Sequence, residues 1–390
     1  METECKKVEQ LIEEGVLFPP IDGNHGEKHP KTSDFVDNGI PFILVPDLKD
    51  GFVDIENCNF ISEAQAQTLS KGFAKTGDVL FTHKATIGKV AIVDTGKYDY
   101  IILTPQVTYY RIKNLDVLSN RYLYYYFKSQ TFQNTFKLYA SSGGTRDYLG
   151  IVAQRKLPII YPNLVYQNKI ADILQNYDHL IANNNKRIKV LEQMAENLYK
   201  EWFVRFRFPG HENAEFEDKI PKGWEYRKLD KLLDVRYGKD HKNVDDGDIP
   251  IFGSGGLMRF GDRSLYDGEV VLIPRKGSLN NIMYYNAPFW TVDTMFYSVP
   301  LVPFFAKYAY FLLSSMDMES YNSGAALPSM TTNILYHLRV LVPDERVLKA
   351  FDSFISDIFK QINAIEKVNE NLIKQRDLLL PRLMSGKLGV

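Results

Sequence analysis

The stretch IANNNKRIKVLEQM, residues 181–194, decides how this chain is read. It has a helical pattern, with Ile181, Ile188 and Leu191 at core spacing. Asn184 occupies the core slot between them, where leucine is expected. Extended over about 166–204, the pattern collects Ile170, Leu174, Tyr177, Ile181, Asn184, Ile188, Leu191, Ala195, Leu198 and Trp202. The steps alternate between four and three. That is a heptad seam, the signature of a helix built to lie along another helix.

A second such helix spans about 347–385. Phe351, Ile355, Ile358, Ile362, Ile365, Asn369, Leu372, Arg376, Leu379 and Leu383 repeat the seam 181 residues later, with one asparagine a slot further on. Parallel pairing would set Asn184 against Ile365 and Asn369 against Ile188. Two amides would then be buried without partners, at about 1–3 kcal/mol each. In an antiparallel pair whose facing numbers sum to 553, Ile170 meets Leu383, Trp202 meets Phe351 and Asn184 meets Asn369. A single polar layer fixes register and orientation at some cost in stability. Asn184 and Asn369 are therefore the expected register pair of an antiparallel rod roughly 60 Å long, at 1.5 Å per residue. Arg376 falls opposite Tyr177 in this register, which requires its guanidinium to lie over the ring.

The parts outside the helices also repeat. SSGGTRDYLGIVAQRKLPIIYP (141–162) lies over NSGAALPSMTTNILYHLRVLVP (322–343), again 181 residues apart. GDVLFTHKATIGKVAIV (77–93) resembles GEVVLIPRKGSLNNIMY (268–284) at an offset of 191. TPQVTYY (104–110) matches TVDTMFY (291–297) at 187, and YLYYYFKS (122–129) matches YAYFLLSS (308–315) at 186. Surface-loop insertions produce such drift. Alternating runs at 79–81, 90–93 and 107–110 read as strands, and YLYYYFKS reads as helical core. The expected fold is α+β: two pseudo-twofold-related α/β domains, 1–162 and 213–343, separated by long helices within 163–212 and 344–390 that form an antiparallel coiled coil. Such symmetry suits the reading of two DNA half-sites at a fixed separation.

Composition narrows the function. The 390 residues are 45% hydrophobic and 13% aromatic, which excludes a disordered chain. A net charge of −1 excludes an indiscriminate polycation but leaves room for local basic patches. The two cysteines, Cys5 and Cys58, give neither a disulfide framework nor metal-ligand spacing, and fit a reducing, cytoplasmic setting. METECKKVEQLIEEG at the start lacks the apolar core of a signal peptide. The most apolar stretch, near 295–313, is broken by Pro300, Pro303 and Lys307, so no membrane span is expected.

No enzyme motif stands out. GxxxxGK[ST], [DN]PP[YF] and HExxH are absent, and the seven histidines are scattered, so no catalytic or metal-ligating residue is assigned. FGSGG (252–256) follows only a short strand run and precedes no capped helix, unlike a nucleotide-binding turn. Basic loops are more informative. THKATIGK (82–89) carries Lys84, Thr86 and Lys89, and its counterpart PRKGSLNN (274–281) carries Arg275, Lys276, Ser278 and Asn280. Backbone NH groups near Gly88 and Gly277 can approach phosphates, and Arg, Lys and Asn side chains can read purine edges. SSGGTRDY (141–148) adds Thr145 and Arg146, and the FGSGG turn adds Ser254. One polar hairpin is ordinary; a basic loop at the same place in both halves points to DNA binding.

Several segments together give the chain a family likeness. LYKEWFVRFRFPG (198–210) follows the first helix and LLLPRLMSGKL (378–388) ends the second. IPKGWEYRKLDKLL (220–233) opens the second domain, and IPIFGSGGLMRFGD (249–262) and GDVLFTHKATIGKVAIV (77–93) are similar in kind. The chain resembles, over nearly its whole length, the specificity subunit of type I restriction–modification systems. The first domain departs from the pattern: it begins KKVEQLIEEGVL and lacks the Pro-x-Gly-Trp opening found at 221–224, which leaves its first strand open.

The resemblance implies that 1–162 and 213–343 are target-recognition domains, each reading half of a bipartite double-stranded DNA site. The central spacer helix (163–212) and distal spacer helix (344–390) would set the unread gap. Two modification subunits would bind around the helices and methylate adenine, and two restriction subunits would translocate and cleave. S-adenosylmethionine, ATP and Mg2+ would belong to those partners, and no cofactor to this chain. Trp202 and Leu383, at the helix ends, would meet the modification subunits. The alternative is a non-catalytic coiled-coil scaffold with two protein-binding heads; basic loops at equivalent positions favour DNA recognition.

Overall fold

The computed structural model describes residues 2–49, 51–140, 148–322 and 328–389. They form two compact units, 1–183 with 368–390, and 184–367. The long helices Leu164–Tyr199 and Glu345–Met384 each contribute one part to each unit, and the first ends in a π-helical turn, Lys200–Val204. Among the described residues, no helix is long and apolar enough to cross a membrane.

In the first unit, Val79–Thr82 is flanked by Val90–Ile92 and Val107–Tyr110, with Ile21–Asp22 beyond, all antiparallel. The helix Asn120–Lys128 covers this sheet, with residues 122–127 all buried. Phe81 meets Phe127, Phe132 and Phe136 at 4.3–5.8 Å between ring centroids. A second sheet runs Phe35–Val36, Asn59–Ile61, Ile40–Ile43, Ile101–Leu103, Phe73–Ala74, and its Ile40–Ile43 and Ile101–Leu103 are parallel. The N-terminal strand Thr3–Lys7 pairs antiparallel with Pro158–Pro162, which supplies the first strand that the missing opening motif had left open.

The second unit repeats this plan. Met283–Asn286, Glu269–Pro274, Met295–Pro300 and Leu233–Tyr237 follow the same sheet order. Gly256–Gly261, Ile249–Gly253 and Trp290–Thr291 form the shorter second sheet, with Ile249–Gly253 and Trp290–Thr291 again parallel. Glu225–Lys228 pairs with Arg339–Val342 as Thr3–Lys7 does with Pro158–Pro162.

Strand pairing corrects the sequence alignment by one residue. Val107 faces Thr82 while Met295 faces Pro274, so Thr82 corresponds to Pro274 and Lys84 to Lys276. These strand residues are buried on both faces, so the apolar pattern carries no register information.

None of the seam positions is exposed. In the first unit, Ile170, Ala171 and Leu174 share a core with Leu380 and Leu383. In the second, Ala195, Tyr199 and Trp202 share one with Phe351 and Ile355. The start of each helix thus meets the end of the other, and within each unit the helices run antiparallel. Asn184 and Asn369 are both buried.

Arg376 does not lie over Tyr177 as the seam implied. Its guanidinium donates to Asp178 at 2.7 Å, and Tyr177 donates its hydroxyl to Gln375 at 3.4 Å. Asp178 sits one residue past the seam, and its nearly inaccessible carboxylate takes the cation. An apolar repeat cannot reveal that partner.

Candidate nucleic-acid interface

The first basic loop is closed by two backbone bonds, from the Thr82 NH to the Lys89 carbonyl and from the Gly88 NH to the Thr82 carbonyl, while Thr82 Oγ1 accepts from the Lys89 NH. Lys84, Ala85 and Thr86 are exposed at its tip, and Lys89 is exposed at its exit. Ala85 has φ +66°, where its counterpart Gly277 has φ +84°. The tip turns through the left-handed region in both units, at a cost of about 1 kcal/mol for alanine.

In the second loop Ser278 is exposed and Lys276 half-buried. Asn280 is exposed but already engaged: its Oδ1 accepts from the Met318 NH at 2.7 Å and its Nδ2 donates to Asp317 at 3.4 Å. Arg275 stacks over Tyr237 at 5.4 Å from the ring centroid and donates to the Asp293 carbonyl at 3.0 Å. Its counterpart His83 reaches the matching carbonyl, Pro105, at 3.0 Å, and the Leu149 carbonyl with its other ring nitrogen. Burial pushes the His83 imidazole below the usual histidine range, against the opposing pull of the two carbonyls. This one position therefore anchors the basic loop to the neighbouring turn in both units.

The loops are also tied to the segments that follow the helical layer. Lys84 bridges to Tyr148 and Lys276 to Ser329. Leu149 donates to the His83 carbonyl and Met330 to the Arg275 carbonyl, at 3.0 and 2.8 Å. Thr145 and Arg146 lie outside the described residues. Asn281 donates to the Ser254 carbonyl at 2.9 Å, bringing the FGSGG turn against the second loop. Ser254 lines a cleft of about 580 Å³ with Asp240, His241, Lys242, Met258 and Thr294.

Sequence reasoning did not single out Lys242, which lines that cleft, or Lys239 just before it. Lys239 and Lys242 are exposed on the loop after Gly238. A Cβ at Gly238 would meet the Val292 carbonyl at 2.1 Å, and one at Gly23 the Leu103 carbonyl at 1.9 Å. A glycine closing each strand, in IDG (21–23) and RYG (236–238), was the available signal. Trp202 and Leu383 are buried in the chain's own cores, whereas Val204, Phe354 and Leu378 nearby are 56–63% exposed. No group of three or more His, Cys, Asp and Glu residues is placed to hold a metal among the described residues.

Two units with one strand order and one loop position match what comparison finds: residues 21–193 and 221–375 each match the type I restriction modification DNA specificity domain. The chain belongs to this family. Its two specificity domains together cover most of its length. The type I restriction enzyme MjaIX specificity subunit of Methanocaldococcus jannaschii is 28% identical over 393 residues, spanning 92% of this chain and 89% of that one. The HindI specificity subunit of Haemophilus influenzae is 20% identical, over 82% and 88%. The crystal structure of the S subunit from M. genitalium shares the fold, with a TM-score of 0.57 at 16% identity over 98% and 96% of the two chains.

Proposed function

We propose that this chain is the non-catalytic DNA-recognition subunit of a type I restriction–modification complex. Residues 1–162 and 213–343 each read one half of a bipartite duplex site, and the helices within 163–212 and 344–390 set the gap between the halves. The observation that carries this reading is the double match to the specificity domain, with a basic loop at the same point of each sheet.

Lys84, Thr86, Lys89, Lys276, Ser278 and Ser254 are the proposed contacts to DNA, joined by Lys239 and Lys242. Arg275 and Asn280 hold the loop in shape, given their bonds to Asp293, Met318 and Asp317. Asn184 and Asn369 set the helix register as a polar layer. Two modification subunits, carrying S-adenosylmethionine, dock near the helix ends; the exposed Val204, Phe354 and Leu378 suit that contact better than the buried Trp202 and Leu383. Two restriction subunits supply ATP- and Mg2+-dependent translocation and cleavage.

The test is selection from random duplex pools by the chain assembled with its modification subunit. Recovery of a two-part motif with a constant gap is expected. Retention of protein partners without any sequence enrichment would replace this reading with a scaffold.

A further inference from the structure

We propose that Lys307 is a positioning residue for two-part recognition: it fixes the second recognition domain on its long helix and so narrows the gap lengths the complex accepts. The proposal rests on the DNA-recognition reading above. Lys307 lies on the helix Phe305–Ser314 and is only 6% exposed. Its Nζ donates to Glu269 at 2.6 Å and to Asp352 at 2.7 Å. Tyr284 donates its hydroxyl to the same Glu269 oxygen at 2.6 Å, and its ring lies 5.3 Å from the ammonium. Burial opposes the charge on Lys307, but the carboxylates of Asp352 and Glu269 outweigh it and keep the ammonium protonated.

One ammonium therefore ties three elements together. Glu269 begins the strand Glu269–Pro274, which leads directly into the basic loop. Lys307 belongs to the helix covering that sheet, and Asp352 to the long helix. Around them the same elements meet through apolar groups such as Tyr308, Phe311, Phe351 and Ile355. Apolar contact is non-directional and tolerates small rotations. A buried ammonium held at hydrogen-bond distance by two half-buried carboxylates does not.

A buried ion network is a weak source of stability, and its best-attested use is to specify one arrangement. The first unit has a buried network between the same kinds of element, in which Tyr125 and Arg376 both bond Asp178; Arg121, which aligns with Lys307, makes a separate, exposed pair with Asp172. Angular precision matters here. Adding one base pair to the gap shifts a half-site by about 3.4 Å and turns it by roughly 35°. A domain free to swivel on its helix would accept neighbouring gaps.

The experiment uses the full chain with its modification subunit, on duplexes carrying both half-sites at the native gap and at one base pair more or less. Asp352→Asn removes the charged tie to the long helix while leaving the Lys307–Glu269 pair. Lys307→Met with Glu269→Gln and Asp352→Asn removes the whole network without stranding a charge. The half-site sequences should be unchanged in both variants, and the preference for the native gap should fall by about 5–10-fold. An unchanged gap preference in either folded variant would overturn the proposal. So would loss of sequence preference at the second half-site with the gap preference intact. Failure of the unsubstituted complex to select any two-part motif would instead sink the DNA-recognition reading.

Discussion

Asp178 and Arg376 form an ion pair at 2.7 Å, with the Tyr125 hydroxyl on the other Asp178 oxygen. The three groups come from the helical layer of the first unit and from both long helices. Asp178 is 5% exposed, so its carboxylate depends on these partners. Arg376→Leu should cost about 3 kcal/mol in urea unfolding, because it strands a buried charge. Asp178→Leu combined with Arg376→Leu should recover most of that loss. Additive losses would show that the two side chains act independently.

The loop lysines should act through phosphate. Lys84→Ala and Lys276→Ala should each weaken binding to all sequences alike and lower the slope of log K against log salt by about one. Arg275→Ala should leave that slope nearly unchanged while blurring sequence preference at the second half-site, because the loop loses its tie to Asp293. Fluorescence anisotropy across a salt series separates the two outcomes.

His83 should make the first unit sensitive to acid. Its folded-state pKa is lowered by burial, so the unfolded chain takes up the proton first as pH falls below about 6.5. The stabilisation is complete above that pH and is lost as pH falls through the folded-state value. His83→Gln should flatten the decline of the melting temperature between pH 7 and 5. A decline as steep as before would place the acid sensitivity elsewhere.

The polar layer is open to a double-mutant cycle. Asn184→Leu or Asn369→Leu alone should destabilise by about 1–3 kcal/mol, and the double change by less than the sum. Strict additivity would remove the case for direct pairing.

The proposed spacer can be lengthened. Seven residues inserted in register into both long helices add about 10.5 Å, equivalent to about 3 bp. Mapping methylated sites should reveal the longer gap. An unaltered spacing would mean that the helices do not measure it.

The helices and the duplication were legible because both rest on spacing: the seam from Ile170 to Trp202 and its repeat 181 residues later. The register of the sheets was not, since residues 79–82 and 107–110 are buried throughout and offer no polar face to count from. The basic loops do follow equivalent strands in both units, but the duties within them were obscure. Arg275 and Asn280 have the chemistry of base readers, yet their partners are main-chain groups and an aspartate brought near by folding. Lys307, Glu269 and Asp352 are separated by 38 and 45 residues, and nothing in the sequence announces that they meet.

The first unit's core holds Val8 and Leu11 together with Leu380 and Leu383. During synthesis the opening domain therefore emerges early but cannot close its core until the final turns of the last helix have left the ribosome. The second unit, 184–367, has all its residues in hand before then. The second unit can therefore complete its core before the first, against the usual N-terminal-first order. A nascent chain stalled before residue 380 would lack two side chains of the first unit's core, Leu380 and Leu383.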